Sequence, residues 1–307
     1  AASGNTASTP AAGAASATGG ELAWSWRALV RDPRQTELID LALANNRDLR
    51  VAMLNVERAR ALLGVSEADR LPTVGAGLTA SRAPSPSSGK QVNTYTAGLQ
   101  INAWEVDFFG RIASLEDAAR AQVLASSAGQ RSAELSLAAA LLSTDLSLTA
   151  DQHLIAIATR SLASRRDTLE LTRLREKVGA ASALELQAAA SLVAQAEVAL
   201  LQARRQRQLD LNALNLLVGA VVPARLLPPE PPLAQPVTAM SGAPFGAGFA
   251  EVPAGLGSDV LLDRPDVVQA EQLLIGATAN IGAARAAFWP RISLTSSAGL
   301  ASSQLGN

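Results

Sequence analysis

LLSTDLSLTADQHLIAIATRSLASRRDTLELTRLREKVGAASALEL, residues 141–186, places Leu141, Leu148, Ile155, Leu162 and Leu169 seven apart before it reaches Gly179. It lies inside a longer stretch with few breakers. Between Arg111 and Val218 the only glycines are Gly129 and Gly179, and no proline occurs between Pro86 and Pro223. Helix is therefore predicted on both sides of Gly179. Arg111–Lys177 and Ser182–Val218 would run roughly 100 Å and 55 Å at 1.5 Å per residue, far beyond the usual globular helix of about 10–14 residues. In the second helix Leu186, Ala189, Val193, Ala196, Leu200 and Ala203 alternate large and small, the stripe of a closely packed coiled coil. Gly179 can supply the positive φ that stops one helix, and Ser182 can cap the next.

Upstream, Asp32 as N-cap and Pro33 at the first helical position open a helix predicted to run to about Arg70, with Leu49, Ala52, Val56, Ala59 and Leu63 on its seam. After Pro72 the period changes to two. Val74, Ala76, Leu78 and Ala80 alternate with glycine, serine and threonine; beyond the turn-rich SRAPSPSSGK, Tyr95, Ala97, Leu99, Ile101 and Ala103 alternate with Thr94, Thr96, Gly98, Gln100 and Asn102. This is a hairpin, 73–103, of strands about ten residues long, enough to cross a bilayer as tilted barrel strands. A soluble sandwich strand would show the same alternation. Tyr95, Trp104, Phe108, Phe109, Phe288 and Trp289 lie in or beside strand positions, as an interfacial girdle would; core packing where strand meets helix is the equal alternative for Phe108 and Phe109.

An offset of 218 lays Asp48 on Asp266, Gly64 on Gly282 and Pro72 on Pro290, and carries the seam onto Val267, Ala270, Leu274, Ala277 and Ile281. A strand with Ile292, Leu294, Ser296 and Ala298 on one face follows, so the order helix, proline, strand repeats. A second unit as long as the first would finish near residue 437, so a fourth strand and a second helical hairpin, about 130 residues, are expected beyond Asn307. The expected organisation is a flexible Ala/Ser/Gly/Thr tether (1–23), a first repeat (24–222) with the helical hairpin 111–218 and its tip near 179, a Pro-rich linker (223–253) and the start of a second repeat (254–307).

Composition narrows the chemistry. The 307 residues contain no cysteine, one histidine (His153) and a net charge of -1, and are 48% hydrophobic but only 3% aromatic. Disulfides, zinc ribbons, thiol catalysis and multi-histidine metal sites are thereby excluded, and no nucleic-acid partner is indicated by the charge. No uninterrupted apolar run of about 18 residues suggests a membrane helix. Glu105 and Asp107 are too isolated for an acid/base couple; Asp107 is expected to cap a helix, with Arg111 compensating its charge. His153 reads as a solvated or interhelical residue, and Asp266 as a first-turn acid.

Five segments, WSWRALVRDP (24–33), LALANNRDLRVA (41–52), WEVDFFGRI (104–112), LLDRPDVVQAE (261–271) and IGAARAAFWPRISL (281–294), resemble the outer membrane factor family. These are the TolC-like channels of tripartite efflux systems, and the resemblance is greatest to their lipoprotein subunits. It implies a mainly α fold with membrane β strands: long coiled-coil hairpins forming a periplasmic tunnel below a β-barrel, trimeric when complete. The implied product is a passive duct in the bacterial outer membrane, extending into the periplasm and possessing neither enzymatic activity nor a cofactor. It would carry drugs or other small molecules in multidrug resistance, with outer membrane lipid, a periplasmic adaptor and an inner-membrane pump as partners. By the same resemblance Val178, Gly179, Ala180 and Ser182 would meet the adaptor, unless they merely form a tight turn. Thr94, Thr96, Gln100 and Asn102 would face the lumen, and Tyr95, Trp104, Phe108, Phe288 and Trp289 the membrane interface. Ala140, Asp145, Gly257 and Asp263 depart from the family's patterns, the lipoprotein cysteine would have to precede Ala1, and the second hairpin, where the family places much of its gate, is not in this sequence. The alternatives are a duct for type I protein secretion and, in another class, a non-channel coiled-coil interaction protein or degenerate truncated relative.

Overall fold

The computed structural model describes residues 26–84, 89, 91–230, 248–250 and 258–303. The tether expected over 1–23, part of the hairpin tip and most of the Pro-rich linker lie outside them. In order, the elements are α1 (Trp26–Leu29), α2 (Pro33–Asn45), α3 (Arg47–Ala68), β1 (Val74–Pro84), β2 (Gln91–Glu105), α4 (Arg111–Lys177), α5 (Ala183–Val218), α6 (Pro265–Ala286) and β3 (Ser293–Ser302).

The 67-residue α4 is the strut of the molecule, roughly 100 Å long. Along its first third, α3 and α6 lie against it, both antiparallel. The α3 contact places Arg70 on Glu116, 2.8 Å away; on the α6 side, Gly282 sits beside Ser114, Gly276 beside Ala118 and Ala121, and Gln269 beside Gly129. Ala121, Ala125 and Ala128 of α4 are buried there, small side chains that let helix axes come close. Along its last third α4 pairs with α5, where Leu162, Leu169, Val193 and Leu200 form one apolar cluster. Between these zones a larger cluster joins Leu38, Ile39 and Ala42 of α2 to Leu137, Leu141 and Leu148 of α4 and to Leu214 and Val218 of α5, closed by Val30, Val222 and Leu226.

The sequence reading of one helix from Asp32 to Arg70 is corrected to two. Asp32 does cap α2, its carboxylate accepting from the Arg34 amide at 2.9 Å, but the helix ends at Asn45. Asn46 starts α3: its side-chain oxygen accepts from the Leu49 amide at 2.8 Å, and its side-chain NH2 donates to the Leu217 carbonyl at 2.8 Å. One carboxamide thus satisfies an orphan donor at the start of α3 and an orphan acceptor at the end of α5. α5 stops there because Gly219 takes a left-handed φ of 76° and lies so near that an added Cβ would fall 2.5 Å from the Asn45 carbonyl oxygen. It is α3 alone, not the whole predicted helix, that stacks end to end with α5 beside α4, while α2 covers the joint.

The repeat aligns element with element: α3 and α6 each have 22 residues and begin 218 positions apart. Their seams behave differently. Leu49, Val56 and Ala59 of α3 are buried against α4, whereas the matching Val267, Leu274 and Ala277 of α6 are exposed; α6 meets α4 through another face, with Gly276, Gly282 and buried Ala283. The matching seam of α6 faces outward. Contrary to the expectation that no segment resembles a membrane helix, α5 is long and apolar enough to cross one by length and composition. Its pairing with α4 and its hairpin turn place it in the strut.

A buried ion pair pins α2 to α4. The Arg34 guanidinium donates to both carboxylate oxygens of Asp145 at 2.7 and 2.6 Å and to the Leu226 carbonyl at 2.8 Å, while the Gln35 side-chain amide donates to the same carboxylate at 2.9 Å. Asp145 is 1% exposed, so removing one partner strands a charge in the core. Asp145→Ala should lower stability by about 3 kcal/mol or more, read as a fall in the thermal midpoint of the helical circular dichroism signal. Arg34→Met with Asp145→Leu should recover most of the loss, and a single substitution as benign as the double would show the pair to be incidental.

Candidate functional site

The strands form one antiparallel sheet, β1-β2-β3, in which the hairpin is joined by the strand of the second repeat. In the register Val74, Ala76, Leu78 and Ala80 pair with Ile101, Leu99, Ala97 and Tyr95, and these four pair onward with Ser296, Ala298, Leu300 and Ser302 respectively. One face is therefore mostly apolar and solvent-facing, with Leu78 and Leu300 more than four-fifths exposed. The other face carries Thr94, Thr96 and Gln100, opposite Ser81, Thr79 and Gly75. The Thr79 and Thr96 hydroxyls hydrogen-bond to each other. Gly77, Gly98 and Gly299 make a side-chain-free row across the sheet, and a Cβ on Gly98 would meet the Ala298 carbonyl at 2.7 Å.

Alternation fails at one place. Ala103 has φ 48° and the pairing of β2 with β3 shifts between Ile101 and Trp104, a β-bulge that inserts an extra residue. Trp104, opposite Leu294, replaces the predicted Ala103 as the continuation of the apolar face, and Asn102 sits within the bulge rather than in simple register with Gln100.

Tyr95 lies nine residues from Trp104 along β2, about 30 Å at 3.3 Å per residue. At the helix end, the Trp104 indole N–H donates to the Arg70 carbonyl at 3.2 Å, Phe108 and Phe288 are largely exposed, and Phe109 stacks on Trp289 with ring centres 5.3 Å apart. That stack joins the strand-to-helix turn of the first repeat to the helix-to-strand turn of the second. Nearby, Asp107 caps α4 as expected, accepting from the Ala113 amide at 2.8 Å. Arg111 makes its hydrogen bonds to Glu105, at 2.7 and 2.6 Å, and its charge also acts on Asp107, so it compensates both carboxylates. Both carboxylates are thus occupied by structural bonds.

At the opposite end, α4 closes with Gly179 at φ 75°. The Ala180 amide donates to the Arg175 carbonyl at 2.8 Å and the Gly179 amide to the Glu176 carbonyl at 2.9 Å, a Schellman closure. Ser182 opens α5 with a capping box, its hydroxyl accepting from the Glu185 amide and the Glu185 carboxylate accepting from the Ser182 amide. Val178 and Leu184 are nearly four-fifths exposed on this rigid turn, flanked by the cations Arg175 and Lys177. Among the described residues no group of three or more His, Cys, Asp or Glu could hold a metal ion.

Sequence reasoning missed the bulge, the Asn46 joint and the Arg34–Asp145 pair. Asn46 could have been found: an asparagine three residues before Leu49, with Asp48 in the first turn, is an N-cap signal. The ion pair spans 111 positions and left no local trace.

The family model described as "Outer membrane efflux protein" matches residues 38–220. A probable efflux pump outer membrane protein of Pseudomonas putida, TtgC, is 39% identical over 288 residues, which is 92% of this chain and 57% of the relative. Outer membrane protein OprJ of Pseudomonas aeruginosa is 37% identical over 286 residues, 91% of this chain and 57% of the relative. The chain thus spans little more than half the length of these curated relatives. Among solved structures, a membrane protein from Pseudomonas aeruginosa superposes with a TM-score of 0.81 at 34% identity, over 98% of this chain and 68% of the other. The open state of the Neisseria gonorrhoeae MtrE outer membrane channel gives 0.75 at 35%, over 92% and 61%.

If the glycine row allows β2 and β3 to approach, Leu99→Cys with Ala298→Cys should form a disulfide readily on oxidation, in a background that has no other cysteine. Adding Gly98→Val should cut that crosslinking at least about tenfold, since backbone atoms occupy the Cβ position. Undiminished crosslinking would mean that the row is not needed for pairing.

Proposed function

The chain belongs to the outer membrane efflux protein family, and from that premise we propose that it forms part of the wall of a passive exit duct in a bacterial outer membrane, extending into the periplasm. The observation that carries this reading is the direct attachment of a sheet with an exposed apolar face to a strut of about 100 Å. An apolar sheet face suits lipid, and a sheet with open edges does not survive in a bilayer unless it closes. Closure requires more strands than the three described, supplied by further copies, as in a homotrimer, and by a completed second repeat. The outward seam of α6 supports that completion, since it duplicates the seam by which α3 grips α4.

In this reading Tyr95 marks one membrane interface, and Trp104, Phe108, Phe288 and Trp289 the other. Their separation of about 30 Å along β2 is close to the roughly 25 Å apolar band of outer membrane barrels, allowing for strand tilt. Thr94, Thr96, Gln100 and Asn102 line a weakly polar lumen. The turn Val178, Gly179, Ala180 and Ser182 meets a periplasmic adaptor that links the duct to an inner-membrane pump. The cargo is drugs or other small molecules, as the toluene and antibiotics in the relatives' names suggest. The protein does no catalysis. The chain divides into a tether (1–23), a first repeat (24–222), a linker (223–253) and the start of a second repeat (254–307).

Cells lacking the gene should accumulate more ethidium, and the intact gene should reverse this. Gly179→Pro or Ala180→Asp should fail to reverse it at an unchanged outer membrane level, and a photo-crosslinker at Val178 should capture an adaptor in the otherwise unsubstituted protein but not in either variant. Unchanged accumulation in the deletion strain, with loss of a secreted protein instead, would favour protein secretion. Normal capture by the tip variants would remove the tip assignment.

A further inference from the structure

One face of α4 is covered where α6 lies on it and bare beyond. Ala121, Ala128, Leu135, Leu146 and Ile157 follow one another at spacings of seven, seven, eleven and eleven residues, each close to a whole number of helical turns, so they share that face. Ala121 and Ala128 are 3% and 5% exposed, whereas Leu135, Leu146 and Ile157 are 39%, 38% and 48% exposed. The change falls where α6 begins: Gln269 touches Gly129, and Pro265 is the first residue of the helix. The three exposed side chains lie on the side of α4 away from Leu141, Leu148, Leu162 and Leu169, by which it meets α2 and α5. From the start of α6 to Lys177 this face runs on for about 65 Å. That is room for a helix as long as α5, whose 36 residues span about 54 Å.

The start of α6 carries half of a matching joint. Asn46, which caps α3 with φ -63° and ψ 130°, also bonds the Leu217 carbonyl of α5. Its repeat mate is Arg264, with φ -65° and ψ 128° at the start of α6, the same backbone under a different side chain. A guanidinium cannot accept from first-turn amides. That task passes to Asp266, whose carboxylate accepts from the Val267 amide at 3.1 Å. Arg264 gives its Nε and Nη2 to Asp266 at 3.1 and 2.8 Å, and its Nη1 has no hydrogen bond among the described residues; its side chain is 57% exposed. We propose that Arg264 donates to the unpaired carbonyls at the C-terminus of a helix set end to end with α6 on the exposed face of α4, as Asn46 does for α5. The last carbonyls of a helix lack partners within it and favour a cationic donor. The occupant is the second repeat's counterpart of α5, placed by the 218-residue offset at about 401–436 of the complete polypeptide. The inference rests on the reading of a completed second repeat and assigns a joint within it.

The test uses the complete gene product, purified in detergent. A photo-crosslinker at Leu146 or Ile157 should link, within one polypeptide, to a peptide C-terminal to Asn307, identified by mass spectrometry. A link to a second copy, which doubles the mass on a denaturing gel, or the absence of any link at both positions would overturn the proposal. The joint itself is read by hydrogen exchange in residues 129–146 and 265–272. Arg264→Leu should speed exchange there about tenfold, whereas Arg264→Asn, which can bond in both directions as Asn46 does, should keep it slow. Exchange in Arg264→Leu equal to that of the unsubstituted protein would remove the role of Arg264. So would an Arg264→Asn variant as fast as Arg264→Leu, since the guanidinium would then act through Asp266 alone. Should Arg264→Leu fail to fold, the crosslink in the otherwise unsubstituted protein decides. Size in detergent reads the duct separately: a monomer that gives the internal link would sink the trimeric duct and leave the joint standing.

Discussion

A helix of 67 residues cannot cover itself. Isolated in water α4 would gain little from packing, and its persistence depends on neighbours laid along its length. Each other helical element is placed by that need. α3 and α6 cover its first third, α2 covers the middle, and α5 covers the far end. Because the neighbours are shorter than the strut, they must meet end to end, and the difficulty moves to the joints.

Helix ends carry unpaired amides and carbonyls that burial would penalise. At the α3–α5 joint a single asparagine answers both, and the left-handed Gly219 lets the two chains come close. The Arg34–Asp145 pair sits beside this joint and fixes α2 over it. At the sheet end the corresponding tasks fall to Asp107, to the Glu105–Arg111 clamp and to the Phe109–Trp289 stack. Between the two apolar clusters of the hairpin lie the buried polar residues Asp151 and Gln152.

What the chain leaves uncovered is equally ordered. The apolar sheet face, the two sheet edges and the outward seam of α6 face solvent in the described residues. These are extended faces rather than pockets, suited to lipid, to further strands and to another long helix. They are the features that support the proposed reading as a wall element.

Whatever is written in local periodicity and breakers was legible from the residues alone. The limits of α4 at Arg111 and Lys177, the stop at Gly179, the cap at Ser182, the two-residue alternation of the strands and the 218-residue repeat all follow from residues close in the chain or from direct self-similarity. Of the candidate sites, the tip turn was legible for that reason. Packing in space sets the rest: the helix before the sheet breaks at Asn46, a bulge at Ala103 hands the apolar face to Trp104, Arg111 turns to Glu105, and the repeated seam of α6 points outward. Each of these depends on a partner reached through space: the Leu217 carbonyl, β3, the end of β2, and an α4 surface already divided between two helices. Period and propensity act within a few residues, whereas these choices are set by which groups remain unsatisfied after distant elements have packed.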